Sequence, residues 1–370
     1  MNIRTQQERS ESTSRAALIA ALQSRPGQRV LASELTTNTG VAKNIIRRLL
    51  EDVEGVSCFE DAGLEFVWTL EPSQTAEASQ VPTRAPLGAI KARQLEWATR
   101  AGRALDGDGY CSCVDDNLFQ KLSTAARGDF ERGGGSELGK SGERGKIQAV
   151  HSSSALACNW FDYWRERDLS VLSNVLGVPN PFVTLRLEAH VKTGMRGADA
   201  NLDVLLTAAD GSLFGIESKF SEPYSPSPSK TALKSQYFSQ NRSRWTEVGL
   251  PGCQAVAERL RTGQHDYAAL DVAQLLKHML ALARTGGGWT LCCLWYEVSG
   301  PAADAHRSDL RTVTAQIGDD AAHFHALTYQ ELFTRMERVI GAEHAAYMDY
   351  LRDRYLNRDA VPDREDDLAN

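Results

Sequence analysis

Apolar positions along the chain recur with a helical period in some windows and alternate in others, and the changes of period mark out the elements. In SRAALIAALQS, residues 14–24, Ala17, Leu18, Ala21 and Leu22 form one stripe, which predicts a helix. After Pro26-Gly27, Leu31 and Leu35 predict a short helix. A turn follows at Thr37 to Gly40, and then a second stripe of Val41, Ile45, Leu49 and Val53. That is the spacing of a helix-turn-helix. GVSCFEDAGLEFVWTLEP then predicts two short strands around Asp61-Ala62-Gly63, the wing of a winged helix. Residues 73–86, SQTAEASQVPTRAP, have the small, polar, Pro-bearing composition of a linker.

Beyond the linker, Leu87 to Leu105 predicts a helix, residues 127–146 a Gly-rich loop, and 151–177 an amphipathic helical stretch with Leu156, Trp160, Tyr163 and Trp164 inward. His151, at its start, is expected to be structural. Alternation returns in PFVTLRLEAHV, 181–191, where Phe182, Leu187, Ala189 and Val191 oppose Thr184, Arg186, Glu188 and His190. Residues 201–208 and 213–220 predict two further strands, with Asp203 opposite Leu202, Val204 and Leu206, and with Glu217 and Lys219 opposite Phe214, Ile216 and Phe220. DVAQLLKHMLALAR, 271–284, predicts a helix burying Val272, Leu275, Leu276, Met279 and Leu282. GWTLCCLWYEV, 288–298, reads as a buried central strand, and 328–357 as a final helical region. The expectation is an α/β fold, a mixed central sheet flanked by helices over residues 87–370, behind a winged helix-turn-helix over 1–72 and the 73–86 linker.

At 370 residues and 42% hydrophobic composition the chain can bury a substantial core. Its seven cysteines include no CxxC pair, so neither a zinc site nor a disulfide framework is indicated. The N-terminus lacks an apolar segment and the longest apolar run is too short to span a bilayer, so a cytoplasmic location is expected. The net charge of −7 runs against nucleic-acid binding, but five acids fall in the last twelve residues and charge distribution matters more than the sum. Residues 1–72 hold eight Lys or Arg against ten Asp or Glu, a balance of 8 − 10 = −2, so a protein-docking role stands beside DNA reading by Lys43, Asn44, Arg47 and Arg48 on the second helix. GGSELGKS, 134–141, matches the phosphate-cradling G-x-x-x-x-G-K-S pattern, but no strand is predicted before it and no helix after it, so it is expected to be a chance match.

The chemistry concentrates in NLDVLLTAADGSLFGIESKF, 201–220, where Asp203, Glu217 and Lys219 interrupt apolar strands. Register decides whether they meet. A two-residue turn at Asp210-Gly211 would pair Asp203 with Ser218 and scatter them. A three-residue loop, Ala209-Asp210-Gly211 with Gly211 left-handed, sets Asp203 opposite Glu217 on the face of Lys219. Facing carboxylates repel, and a cation between them resolves the conflict. Oxygen ligands suit Mg²⁺ or Mn²⁺. Lys219 would orient an attacking water and stabilise charge on a phosphate, while Glu188, one strand back, would bind a second metal or hold a water. In the segment 221–245, Lys230, Lys234, Arg242 and Arg244 interleave with aromatics, as in a loop that contacts a nucleic-acid backbone and equally as in an ordinary solvated loop. Gln236 is placed to reach the same face. Gln274 and His278, four residues apart on one helix, would stand behind the site or touch phosphate, His278 otherwise being a structural histidine.

D-x(13)-E-x-K on a strand pair, preceded by an acid, resembles the active-site pattern of the PD-(D/E)XK nuclease superfamily. HSSSALACNWFDYW, NLDVLL, IESKFSEPY, QLLKHMLAL and LWYEVSG together resemble a bacterial restriction-endonuclease-like family within it, over roughly residues 113–335. The motif's usual proline is missing, Ala198-Asp199-Ala200-Asn201-Leu202-Asp203 standing where Pro-Asp would be. The resemblance implies Mg²⁺-dependent phosphodiester hydrolysis, with Asp203 and Glu217 as metal ligands, Lys219 as the catalytic lysine and Glu188 as an auxiliary acid. It implies DNA as the partner in restriction or defence, and double-strand cutting by a single-site nuclease invites a homodimer. The alternative from another class is a non-catalytic winged-helix DNA-binding or adaptor protein on a nuclease-like scaffold.

Overall fold

The computed structural model describes residues 14, 17–22, 30–50, 56–60, 66–70, 86–133, 137–140, 143–195, 197, 199–224, 233–264 and 267–356. The chain divides into two units, Met1–Thr83 and Arg84–Asn370. In the first, β1 (Val30–Leu31), α1 (Ala32–Thr39), α2 (Lys43–Leu50), β2 (Val56–Glu60) and β3 (Phe66–Leu70) follow in order, and the strands form an antiparallel sheet ordered β1-β3-β2. Gly40, at φ 72°, ends α1 in the left-handed conformation that lets the chain turn sharply into α2. Leu18, Leu22, Leu35, Ile46 and Leu50 make the unit's core. The Asp61–Gly63 turn, the linker apart from Pro86, and the side chains of Lys43, Asn44, Arg47 and Arg48 lie outside the described residues.

In the second unit α3 (Pro86–Arg100), α4 (Thr124–Arg132), α5 (Ser153–Phe161) and α6 (Ser170–Leu176) precede β4 (Phe182–Val191), β5 (Ala200–Ala208) and β6 (Leu213–Lys219). Then come α7 (Pro251–Arg261), α8 (Val272–Ala283), β7 (Trp289–Trp295), α9 (Pro301–Ile317), β8 (Phe324–Thr328), α10 (Tyr329–Val339) and α11 (Ala345–Tyr355). The sheet is ordered β4-β5-β6-β7-β8. Its β4-β5-β6 part is antiparallel, and β6, β7 and β8 run parallel. Helices α5, α6, α10 and α11 pack on one face with Phe214, Ile216 and Phe220, and α7, α8 and α9 on the other with Leu291, Cys293 and Trp295. This is the expected mixed sheet between helical layers. Among the described residues no helix is long and apolar enough to cross a membrane.

One expectation changes, and two expected helical regions are each divided. Residues 127–132, assigned to a Gly-rich loop, are the end of α4, whose Ser123 hydroxyl caps the helix by accepting the Ala126 N–H. The stretch 151–177 is two helices, because Asp162 is drawn into bonds with Ser123 and Arg165 and the chain tightens into a 3₁₀ turn there. Region 328–357 is likewise divided, into α10 and α11. The GGSELGKS segment follows a helix, not the strand that a phosphate-cradling loop requires.

A buried guanidinium fixes the C-terminal helix. Arg354 is fully buried, and its donors reach Gln94 Oε1, the Asn117 carbonyl and Oδ1, the Val150 carbonyl and the Tyr350 hydroxyl. Its plane lies 4.0 Å from the Trp97 ring centre. One side chain thus ties α11 to α3 and to the loops before α5.

Candidate active site

The β5–β6 hairpin sets the register. Val204 pairs with Ile216, Leu206 with Phe214 and Thr207 with Leu213, and the Ala208 N–H donates to the Ser212 carbonyl. Gly211, at φ 84°, supplies the left-handed residue of the three-residue loop. Extended by one residue, this register places Asp203 opposite Glu217. The regular ladder stops there, and the Asp203 carboxylate turns to accept the Ser218 N–H at 2.7 Å.

The strands beside the hairpin do not alternate as simply as the pattern predicts. Phe182, Leu185 and Leu187 of β4 enter one core, but Ala189 and Val191 enter the other. On β5, Val204, Leu206 and Ala208 are divided in the same way from Ala200 and Leu202. Residues of one parity change faces only where the backbone breaks the alternation, and the break falls at Glu188, with φ +46°. Pairing of Leu187 with Val204 and Ala189 with Leu202 sets Glu188 opposite Asp203. Glu188, Asp203 and Glu217 therefore form a row across three adjacent strands. A left-handed glutamate is costly backbone, of order 1–3 kcal/mol, and such strain collects at functional sites.

Neighbouring groups hold the row in place. The Asp129 carboxylate accepts the Leu187 N–H, and the Arg165 guanidinium donates to the Leu185 carbonyl and pairs with Asp129 at 2.8 Å. A Cβ on Gly133 would stand 2.8 Å from Glu188 Cβ, so glycine there lets α4 end against the glutamate. The Asn201 amide donates to Glu188, and Ser218 Oγ lies 2.6 Å from the Tyr329 hydroxyl.

Lys219 Nζ donates to Glu217 Oε1 at 2.6 Å and to Gln274 Oε1 at 2.8 Å, and His278 Nδ1 lies 3.2 Å from Glu217 Oε2. Gln274 and His278 thus meet the two β6 residues from one face of α8. Glu217 is 2% exposed and His278 fully buried. Burial, followed by the Glu217 charge, pushes the Asp203 carboxyl well above the ordinary range. Burial raises Glu217 too, against the pull of Lys219. Burial opposes the Lys219 ammonium, yet Glu217 and Asp203 outweigh it and hold the ammonium charged. His278 is driven well below the usual histidine range by burial and by Lys277 and Lys219, and is neutral.

Burial raises Glu188 from 4.5 to about 6, with Glu137 and Glu217 adding to it against the Asn201 bond. A carboxyl that binds its proton more tightly folded than unfolded adds stability on acidification and loses it as pH rises through the folded value. The metal-free protein is therefore expected to gain from this group between pH 6 and 4.5. Thermal melts across that range should show a flatter profile for Glu188→Gln. An unchanged profile would contradict the assignment.

Of the other candidates, Arg242 pairs with Glu247 at 2.5 Å, and Arg244 is buried with its Nε donating to the Tyr237 carbonyl. These bonds fix the segment's own turn. Gln236 is half-buried there, the Lys234 backbone opens that turn, and Lys230 lies outside the described residues. Two acids near the row are not distinguished by the sequence pattern. Glu137, in the Gly-rich loop, accepts the Ser154 hydroxyl at 2.7 Å and contributes to the Glu188 shift. Glu222 accepts the Phe220 and Ser221 N–H groups and acts on Glu217 and Lys219. Glu222 carried a faint signal, as a third charge just past E-S-K.

Residues 91–356 match the family model described as restriction endonuclease associating with ARP. The chain belongs to this family. Membership brings a nuclease role in restriction, with DNA as the substrate class it implies. No curated protein and no solved structure matches the chain.

Proposed function

We propose that the chain is a divalent-metal-dependent DNA endonuclease of the PD-(D/E)XK type acting in restriction or a related defence, and that residues 1–72 form a winged helix that reads or recruits DNA. The observation that carries this is the convergence of Asp203, Glu217 and Lys219 at the end of the β5–β6 hairpin, with Glu217 Oε2 buried and without a hydrogen-bond partner among the described residues. An orphaned carboxylate oxygen costs about 1–3 kcal/mol or more, and a cation would satisfy it. Among the described residues no three His, Cys, Asp or Glu side chains are grouped to hold a metal. Mg²⁺ can be held by one or two carboxylates, with water and substrate phosphate as its other ligands. Asp203 and Glu217 would hold it.

The bound cation would lower the pKa of a water and offset charge on the phosphate. Lys219, held charged by its two carboxylates, gives two of its three N–H donors to Glu217 and Gln274 and would have the third for the attacking water or a phosphate oxygen. Glu188, with its raised pKa, can accept or return a proton near neutral pH. Gly133, Asn201 and the Asp129–Arg165 pair fix where that carboxyl stands.

Melting with and without Mg²⁺ tests the metal reading. Wild type at saturating Mg²⁺ is expected to melt about 5 °C higher, by mass action on the folded state, and Glu217→Ala to show no rise. Plasmid cutting that needs Mg²⁺ or Mn²⁺ and stops with EDTA completes the test. Absence of both the rise and the cutting would leave a DNA-binding or adaptor protein on this scaffold.

A further inference from the structure

We infer that His278 is a positioning residue for Glu217, holding its carboxylate in the orientation that receives a divalent cation. This rests on Asp203 and Glu217 being the cation's ligands. Helix α8 buries Leu275, Leu276, Met279 and Leu282, and by that pattern an aliphatic side chain would serve at 278. A fully buried imidazole stands there instead, both nitrogens without a hydrogen-bond partner among the described residues. Each orphaned polar atom costs of order 1–3 kcal/mol, so packing alone does not account for it.

The geometry supplies a reason. Nδ1 is within 3.2 Å of Glu217 Oε2, close enough for a hydrogen bond but off its line, and Oε2 is the other orphan of the pair. Lys219 holds the second oxygen, Oε1, at 2.6 Å. In this arrangement the Glu217 carboxylate is drawn toward Lys219, and rotation about its last bond brings Oε2 into line with an Nδ1–H. Contacts of this kind are often misaligned in the unliganded site and tighten when ligand arrives. The approach of helix to strand is itself fixed. Asp271 Oδ1 accepts the Gln274 N–H at 2.9 Å and caps α8, and Gln274 takes Lys219 Nζ one turn before His278. One helical face thus steers Lys219 and Glu217 separately, and His278 keeps the carboxylate from collapsing wholly onto the lysine.

The test compares His278→Leu with His278→Asn, isosteric replacements that differ in hydrogen bonding. The readouts are the Mg²⁺ dissociation constant, from titration calorimetry with Mg²⁺ alone, and the metal-free Tm. Loss of a residue that orients a metal ligand typically weakens metal binding 10- to 100-fold. His278→Leu is expected to show that loss with a metal-free Tm equal to or above wild type, and His278→Asn to bind Mg²⁺ within about threefold of wild type. A packing role would move Tm and leave Mg²⁺ affinity alone, so wild-type affinity in His278→Leu overturns the proposal. Should neither variant fold, ¹⁵N spectra of wild-type His278 decide. An Nδ1–H tautomer whose signals move on adding Mg²⁺ supports the role, and an Nε2–H tautomer indifferent to Mg²⁺ refutes it. A wild type that binds no Mg²⁺ removes the cation reading as well. Wild-type binding undiminished in His278→Leu removes only the role of His278.

Discussion

Asp203→Asn protein is expected to lose DNA cleavage by at least about 10²–10³-fold while its metal-free form melts higher than wild type. The two effects share one cause. Asp203, Glu217 and Glu188 stand in a row on adjacent strands, and burial makes each carboxylate's charge costly. Asparagine keeps the shape and an oxygen for the Ser218 N–H, so it removes repulsion without removing the backbone contact. The gain is about 1–2 kcal/mol, a few degrees in Tm. Lys219→Ala is expected to abolish cleavage to the same degree but to lower the metal-free Tm. It removes the ammonium that Glu217 Oε1 and Asp203 face and leaves their charges uncompensated. Cleavage assays with Mg²⁺, paired with melts in EDTA, measure both. Full cleavage by either variant, or the same sign of Tm change in both, would refute this account of the site.

Arg354→Met is expected to destabilise the chain by about 3–5 kcal/mol, seen as a lower urea midpoint at unchanged slope and a Tm fall of about 10 °C. Arg354 is fully buried, and the acceptors it satisfies are neutral. Methionine of similar length fills part of the space but takes the guanidinium donors from Gln94 Oε1, Asn117 Oδ1 and the Val150 carbonyl, and leaves the Asn117 carbonyl only its bond from the Asn159 amide. Lysine would keep the charge yet not the planar fork that meets Asn117 twice and stacks on Trp97, so Arg354→Lys is expected to recover less than half of the loss. A midpoint shift worth under about 1 kcal/mol in Arg354→Met would show that the network adds little.

Local pattern made part of this molecule legible. The hairpin loop with Gly211, the alternation of β6 and the all-apolar β7 follow from turn chemistry and period, and the register of Asp203 against Glu217 follows from the loop length. The α8 stripe fixed which face carries Gln274 and His278. Features that depend on distant contacts were not legible. Period-two reading put Leu202 and Val204 on one face, but the left-handed Glu188 and the bonds of Asp129 and Arg165 to β4 twist the sheet between them. Arg244 resembled a phosphate contact by composition and is buried under Tyr237. Glu137 sat in a glycine-rich segment set aside as a chance motif. Nothing in the local sequence marks Arg354, whose partners Gln94 and Asn117 lie more than two hundred residues away.

The Asp129 and Arg165 bonds to β4 also bear on how two copies of the chain can associate. β4 is an outer strand, and such an edge is ordinarily a template on which another chain adds a strand. Here the Leu187 N–H and the Leu185 carbonyl are already taken by side chains of the same molecule. A partner strand would have to displace a buried ion pair to dock along that stretch. Two copies meeting along this stretch of β4 would therefore have to join through side-chain surfaces, leaving the strand that carries Glu188 out of any continuous sheet between them.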